Sequence, residues 1–322
     1  MPASRTVDII IPTYRPGEKF IRLLSMLKRQ TVPYQKLIIV NTEETLMPAD
    51  VKEALRDMPL VSLRHISKAD FDHAGTRRAA AEEVTADCFV CMTDDAVPAD
   101  DRLLEQLLAG FRDPETAIVY ARQLPWKDTA EAEKFTRRFN YPDESRKKTI
   151  QDLGVLGIKT YFASNVCCAY DLAIYRSLGG FIDSAIFNED MIFAAGALKA
   201  GYAVVYQADA RVFHAHNYTA SQQLHRNFDL GMSQEMHPEV FAGVPSEGEG
   251  VRLVKETAKH LARTGRAGEI PRLFLHSGCK YLGYRLGRSW HRLPGPLVRR
   301  LALNRSFIDK LQSGKQERAK TC

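Results

Sequence analysis

The sequence predicts an α/β fold: a parallel sheet flanked by helices, with a helical C-terminal extension. Two observations carry this. Over residues 1–100, β-rich apolar runs alternate with stretches whose apolar residues recur at helical spacing, the pattern of βαβ units. One of those runs, Cys88-Phe89-Val90-Cys91-Met92, is apolar throughout and bounded by polar residues, as in a strand buried on both faces.

Taken in order, Val7-Asp8-Ile9-Ile10-Ile11-Pro12 reads as a strand that the proline ends in a turn. Residues 18–29 place Phe20, Ile21, Leu23, Leu24 and Leu27 on one helical stripe. Strands follow at 36–41 and 60–66, with a short helix at 49–57 between them. A helix at 75–84, rich in Ala and Arg, leads into the 88–92 strand. Beyond it come a helix at 101–111, a strand at 117–120, an amphipathic helix at 131–139 and a polar loop at 141–151. Residues 159–170 are apolar and small, with Ser164 and Asn165 at their centre. Leu178-Gly179-Gly180-Phe181 is a turn, and a helix at 189–200 ends at Gly201, a residue suited to a left-handed cap. Short strands at 202–207 and 211–216 close the series, and no internal repeat is present.

Composition sets limits. A chain of 322 residues, 45% hydrophobic and 26% charged, builds one large domain or a domain with an appendage. No run approaches the roughly 18 apolar residues of a membrane span. Met1-Pro2-Ala3-Ser4-Arg5 has no signal-peptide core. Cys88 and Cys91 have C-x-x-C spacing, but residues three apart on a strand face opposite ways. With Cys167, Cys168, Cys279 and Cys322, they are expected as reduced thiols of a cytosolic protein, mostly buried. The first strand is not followed by G-x-G-x-x-G, and G-x-x-x-x-G-K-[ST] is absent. This disfavours dinucleotide oxidoreductases and P-loop NTPases. The net charge of +6 is uneven: from Arg252 onward Lys and Arg outnumber the acids, with aromatics and Leu interleaved. Nucleic acid or an anionic membrane surface suits such a segment.

Four polar clusters carry possible chemistry. Asp94 and Asp95 end the buried strand, where paired acids suit a hard divalent cation. They also suit a turn or a helix cap, although Asp100 is better placed to cap the helix near Leu103. Asn188-Glu189-Asp190 opens a helix, with Asn188 a candidate cap and the acids favoured by the helix dipole. His214 and His216 share a strand face and either reach one ion or are a surface feature. Phe71-Asp72-His73-Ala74-Gly75-Thr76-Arg77-Arg78 sets arginines at a helix start, which is either a phosphate site or a solvated basic face.

The order of these pieces resembles the family 2 glycosyltransferases, and within them the bacterial rhamnosyltransferases. The matching residues are Pro12-Thr13-Tyr14, Phe71-x-His73-x-Gly75-Thr76-Arg77, Thr93-Asp94-Asp95-Ala96-x-Pro98 and Tyr120-Ala121-Arg122-Gln123-Leu124-Pro125. They continue through Phe139-Asn140-Tyr141-Pro142, Gly157-Ile158-Lys159-Thr160-x-Phe162-x-Ser164-Asn165, Asn188-Glu189-Asp190-Met191 and His214-x-His216-Asn217-Tyr218. The likeness runs from about Val7 to Gly231 and, more loosely, through Tyr281-Leu282-Gly283-Tyr284-Arg285-Leu286-Gly287.

The resemblance implies a GT-A type, Rossmann-like fold with a mixed, mainly parallel sheet flanked by helices. Its catalytic domain would span residues 1–232, with a nucleotide-sugar half near 1–100 and an acceptor half near 101–232. A basic helical extension fills 233–322. It implies an inverting, metal-dependent transfer of a sugar, L-rhamnose from dTDP-L-rhamnose, to a hydroxyl of a lipid-linked cell-surface polysaccharide. Asp95 matches the family's metal-binding acid, with Asp94, where the family often has Gln, near the ribose or the ion. The metal would be Mn²⁺ or Mg²⁺, and a ligand from His214 or His216 tilts the choice to Mn²⁺. Arg77 would meet the diphosphate. Pro12, Thr13 and Tyr14, with Glu43 or Glu44, would border base and ribose, although Asn41 stands where many members have Asp. Asp190 matches the general base and Glu189 orients it or the acceptor. Ser164 and Asn165 either hold sugar hydroxyls or serve as a strand-end support. The basic extension, from Leu273 and Phe274 to Trp290, His291 and the helix at 297–303, either lies on an anionic membrane or seals the catalytic domain. The first reading places the protein in the cytoplasm, peripheral on the inner face of the cytoplasmic membrane. Alternatives are a UDP-hexose donor such as UDP-galactose or UDP-glucose, and a catalytically silent carbohydrate-binding domain. Sugar nucleotidyltransferases are disfavoured because Ile11-Pro12-Thr13-Tyr14-Arg15-Pro16 is not their Gly-rich loop. Nucleic-acid binding has no matching motif in the core.

Overall fold

The computed structural model describes residues 5–244 and 247–321; the start of the chain (1–4), residues 245 and 246, and Cys322 lie outside the described residues. The strands are β1 (Val7–Tyr14), β2 (Lys36–Thr42), β3 (Val61–Ile66), β4 (Cys88–Met92), β5 (Val97–Pro98), β6 (Thr116–Leu124), β7 (Arg146–Lys148), β8 (Cys167–Asp171) and β9 (Ala203–Phe213). They form one sheet in the order β3-β2-β1-β4-β8-β6-β9-β5, with β7 also paired to β9. Neighbours from β3 to β4 run parallel, β8 is antiparallel to both β4 and β6, and β6 and β9 are parallel. The expected mixed, mainly parallel sheet is present.

The helices are α1 (Glu18–Leu27), α2 (Ala49–Arg56), α3 (His73–Ala81), α4 (Leu103–Ala109), α5 (Glu131–Asn140), α6 (Leu153–Leu156), α7 (Leu172–Ser177) and α8 (Glu189–Lys199). After β9 the chain is helical: α9 (Ala220–Met236), α10 (Pro238–Phe241), α11 (Glu247–Arg263), α12 (Ile270–Arg288), α13 (Gly295–Leu301) and α14 (Arg305–Thr321). By compactness there are two units. The first holds the sheet and the chain to His216, apart from Asp72–Ala74 and Ser184–Asn188; those two segments and the chain from Asn217 form the second. The expected division after residue 232 falls within α9.

In the first unit both faces of the sheet are apolar, because successive strand residues point opposite ways. Val7, Ile9 and Ile11 of β1 and Cys88, Val90 and Met92 of β4 pack with Phe20, Leu23, Leu24 and Leu27 of α1 and Leu103, Leu104 and Leu107 of α4. On the other face Phe89 stacks on Tyr170 with ring centroids 5.1 Å apart, and Tyr175, Phe181 and Phe193 complete an aromatic cluster. Cys88, Cys91, Cys167 and Cys168 are buried free thiols, and Cys279 is free and half-buried. Burial pushes Cys88 up to about 11 and Cys91 up to about 12, so both stay protonated.

Several local readings change. Pro12 does not end β1, which runs on to Tyr14. Pairing of β1 to β4 stops at Ile10, so the missing N–H of Pro12 falls on an edge already open. The strands expected at 202–207 and 211–216 are one strand, β9. Its ladder with β6 jumps from Ala121↔Gln207 to Arg122↔Arg211, so the residues that read as a break are an irregularity within the strand. The polar loop expected at 141–151 contains β7, invisible in the sequence because two of its three residues are exposed. Asn188 has φ 66°, left-handed rather than the extended backbone of a helix cap. Asp100 accepts the Arg102 N–H, a turn just ahead of α4.

In the second unit α9 and α12 approach until their backbones nearly touch. A Cβ on Gly283 would lie 2.2 Å from the Leu224 carbonyl oxygen, and one on Gly287 2.2 Å from that of Phe228. From the facing side, a Cβ on Gly231 would lie 2.3 Å from the Tyr284 carbonyl oxygen. Phe228 and Met232 of α9 also pack with Val298, Ala302, Phe307 and Ile308. Asp229 accepts the N–H groups of Leu303 (3.1 Å) and Asn304 (3.0 Å), while its burial pushes the carboxyl up to about 7. Gly283→Ala should cost at least about 1–3 kcal/mol in urea unfolding, because the clashing atoms are backbone and cannot swing aside. Gly278→Ala on the same helix, where an added Cβ meets nothing within 4 Å, should instead stabilise by about 0.5–1 kcal/mol.

Candidate active site

The carboxyl ends of the parallel strands bring the predicted polar residues to one edge of the sheet, where open α/β sheets bind ligands. Beyond β4 the chain turns through Thr93 to Ala96, presenting Asp94 and Asp95. Asp94 Oδ2 accepts the Tyr14 N–H at 3.3 Å, taking over the open edge of β1. Burial and then the neighbouring Asp95 charge push Asp94 up to about 6.

Asp95 faces both histidines. Its Oδ1 lies 3.5 Å from His214 Nε2 and its Oδ2 3.1 Å from His216 Nε2. Those two nitrogens are 3.1 Å apart. Burial raises the Asp95 carboxyl, but the hydrogen bond from His216 and the charges of both imidazoles outweigh it and hold the group below the usual carboxylate range. His214 continues the β9 ladder by donating its N–H to the Leu124 carbonyl, so sheet register aims the imidazole. One carboxylate oxygen and two imidazole nitrogens lie within 4.8 Å of one another. This donor set fits a divalent ion.

A second centre sits at the start of α8. Arg77 NH1 lies 3.1 Å from Glu189 Oε1, and the two residues are each 5% exposed. Asn165 Nδ2 donates to the same Glu189 oxygen at 3.0 Å, and Tyr170 OH fixes Asn165 through its Oδ1 at 2.7 Å. Asp190 Oδ2 accepts the Asn165 N–H at 2.9 Å and Oδ1 accepts the Met191 N–H at 2.8 Å. Burial, then the Glu189 charge, raises Asp190 to about 7, against those hydrogen bonds and Arg77. Arg77, expected at a diphosphate, is turned inward onto Glu189. The two centres are joined through the chain: Ser164 accepts from Gln123, which also holds His214, and the next residue is Asn165.

A third group lines the ends of β1 to β3. Thr13 donates its hydroxyl to Asn41 Oδ1 at 3.0 Å, and Asn41 Nδ2 serves the Glu43 carbonyl at 3.2 Å and His65 Nδ1 at 3.0 Å. Asn41 is fully buried and its amide is spent on protein partners. Tyr14 is exposed, with Arg15 and Lys68 near its ring. Glu43 has φ 64° and its Oε1 accepts the Lys68 N–H at 2.5 Å. Pro12 is paired with Val40 inside the ladder.

The glycosyl transferase family 2 model matches residues 8–179, more than half of the chain. The chain belongs to glycosyl transferase family 2. This family 2 glycosyltransferase is 37% identical over 313 residues to an O-antigen chain rhamnosyltransferase of Salmonella typhimurium, covering 95% of this chain and 97% of that one. It is 35% identical over 309 residues to one of Salmonella anatum, covering 94% and 96%. Among solved structures it resembles a mannosyltransferase from Pyrobaculum calidifontis in complex with GDP-Man and Mn²⁺, at a TM-score of 0.55, 14% identity, and 95% and 86% coverage. It also resembles residues 1–349 of S. aureus TarS, at 0.51, 14%, and 89% and 91%. At such identities these structures establish the fold alone, and it is the expected GT-A arrangement.

Three side chains escaped the sequence reading as contributors to the site. Gln123 and Arg137 lie behind His214. Lys148, 3% exposed, donates to the Lys159 and Phe162 carbonyls beside the Ser164 turn, and burial lowers its amine to about 7. Gln123 was visible in a family-like motif, but no spacing rule links it to a residue 91 positions away. Replacing Arg77 by Met should destabilise the fold by about 3–5 kcal/mol in urea titration, because Glu189 keeps its burial and loses its countercharge.

Proposed function

We propose that this chain is a metal-dependent, inverting rhamnosyltransferase that moves L-rhamnose from dTDP-L-rhamnose to a hydroxyl of a growing, lipid-linked cell-surface polysaccharide. The observation that carries the reading is the pairing of a carboxylate–imidazole cluster at Asp95, His214 and His216 with a half-buried carboxylate at Asp190, bridged by Ser164 and Asn165. The two near-full-length relatives named as O-antigen chain rhamnosyltransferases support the choice of sugar and acceptor.

Asp95, His214 and His216 would hold the cation, Mn²⁺ or Mg²⁺, which when bound neutralises charge developing on the departing nucleoside diphosphate. Pro12, Thr13, Tyr14, Glu43 and Asp94 border the nucleoside, with the exposed Tyr14 ring as its platform. Asp190 takes the proton from the acceptor hydroxyl as that oxygen attacks the anomeric carbon opposite the leaving group, inverting it. Its raised pKa suits a base working near neutrality. Glu189 and Arg77 tune and orient Asp190 without touching the reacting atoms. Catalysis is assigned to residues 1–232.

The test is release of nucleoside diphosphate from a panel of nucleotide sugars with Mn²⁺ or Mg²⁺. dTDP-L-rhamnose should be preferred, and a preference for a UDP-hexose would overturn the sugar assignment. Asp190→Asn should lower transfer by about 10²–10⁴-fold while leaving donor affinity intact. Wild-type transfer should fall as pH drops through about 7, because only the ionised Asp190 accepts a proton.

The extension at 233–322 is proposed as a peripheral membrane contact on the inner face of the cytoplasmic membrane. No helix of the described residues is long and apolar enough to cross a membrane. On α12, Phe274, Leu275, Tyr281 and Leu282 are each 50–60% exposed and recur at helical spacing, on the side away from Gly283 and Gly287. Residues 270–308 carry eight Lys and Arg and no Asp or Glu. An apolar stripe bordered only by cations suits an anionic bilayer interface. Wild type should float with vesicles containing anionic lipid, and the variant with Phe274, Leu275 and Leu282 changed to Ser should remain at the bottom of the gradient with its fold intact.

A further inference from the structure

We infer that Gln123 and Arg137 are positioning residues that fix the tautomer of His214, so that its Nε2 lone pair faces Asp95. Gln123, at the end of β6, is 3% exposed and both ends of its amide have partners. Arg137 NH1 donates to Gln123 Oε1, and Arg137 is itself steadied by Glu133 on the same turn of α5 at 2.9 Å. Gln123 Nε2 donates to Ser164 Oγ at 3.1 Å. His214 Nδ1 lies 3.0 Å from the same Oε1 that Arg137 holds.

The polarity follows from what each group can do. A guanidinium only donates, so the amide atom facing Arg137 must be the oxygen. That oxygen only accepts, so His214 Nδ1 carries the hydrogen. A neutral imidazole has one N–H, which leaves Nε2 with its lone pair directed at Asp95 and His216. Turning the amide over would set its NH₂ against the Arg137 guanidinium, donor against donor, and lose that hydrogen bond. Arg137, two residues removed from the carboxylate cluster in contact and 77 in sequence from His214, thus chooses which nitrogen of that histidine is a ligand atom. The ligand part of this inference rests on the metal reading of Asp95, His214 and His216; the tautomer part does not.

Two measurements test it. The first needs no metal: ¹⁵N side-chain NMR of metal-free protein at a pH where the imidazoles are neutral, with His214 assigned by its loss in His214→Gln. The Nδ1–H form should dominate for His214 in wild type and in Gln123→Glu, whose carboxylate still accepts from Nδ1–H and pairs with Arg137. Gln123→Met should show mixed tautomers. A dominant Nε2–H form in wild type, or no change in Gln123→Met, overturns the proposal. The second is Mn²⁺ binding followed by electron paramagnetic resonance. Gln123→Met should weaken binding about 10–100-fold, as loss of a residue that orients a ligand does, and Gln123→Glu should stay within about threefold of wild type. Wild-type affinity in Gln123→Met, or equal loss in both variants, contradicts the ligand role. If wild type binds no Mn²⁺ while NMR gives the Nδ1–H form, the metal reading fails and the tautomer lock stands.

Discussion

The ion pair of Arg77 with Glu189 is the interaction on which the candidate active site rests. Two adjacent carboxylates, the buried Glu189 and the half-buried Asp190, open a helix inside the sheet unit. A buried pair of like charges is unstable unless one finds a countercharge or takes a proton. Arg77 supplies the countercharge to Glu189, and Asp190 is left with a raised affinity for protons. The same arrangement that makes the pair tolerable therefore brings Asp190 into the range of a general base. Asn165 links the two, donating its side chain to Glu189 and its backbone N–H to Asp190.

The sheet imposes the rest of the geometry. Because β4 is paired on both sides and apolar on both faces, its first polar positions come where pairing ends, and there Asp94 and Asp95 emerge. Asp94 finishes the hydrogen bonding of β1. Asp95 meets the end of β9, whose irregular register against β6 sets where His214 and His216 arrive. The two aspartates thus divide their work: one completes a strand edge and the other faces the imidazoles. The explanation of these acids as mere helix caps loses its ground, since α4 starts at Leu103 and Asp100 already bonds the chain ahead of it.

The second unit follows a different logic. Gly231, Gly283 and Gly287 let the backbones of α9 and α12 approach directly, with Tyr284–Gln234 and Arg288–Glu235 side-chain contacts beside them, and α12 presents apolar residues outward. Its exposed stripe is unusual for a water-facing helix, which ordinarily places apolar residues on the packed side. A sequence periodicity argument misreads such a helix, because glycine carries no hydrophobic signal.

By itself the sequence determined the α/β class, the positions of the main strands, the family and the acids at 94, 95, 189 and 190. These are local signals: periodicity, abrupt changes of polarity and residue order, all written within short stretches of chain. Tertiary structure alone decided that β9 is continuous, that β7 exists, that Arg77 faces Glu189, that Asn41 is consumed by Thr13, Glu43 and His65, and that Gln123 stands behind His214. Each of these depends on which residues distant in the chain share an edge of the sheet. Hydrogen-bond donors and acceptors carry no record of their partners until strand register brings them together.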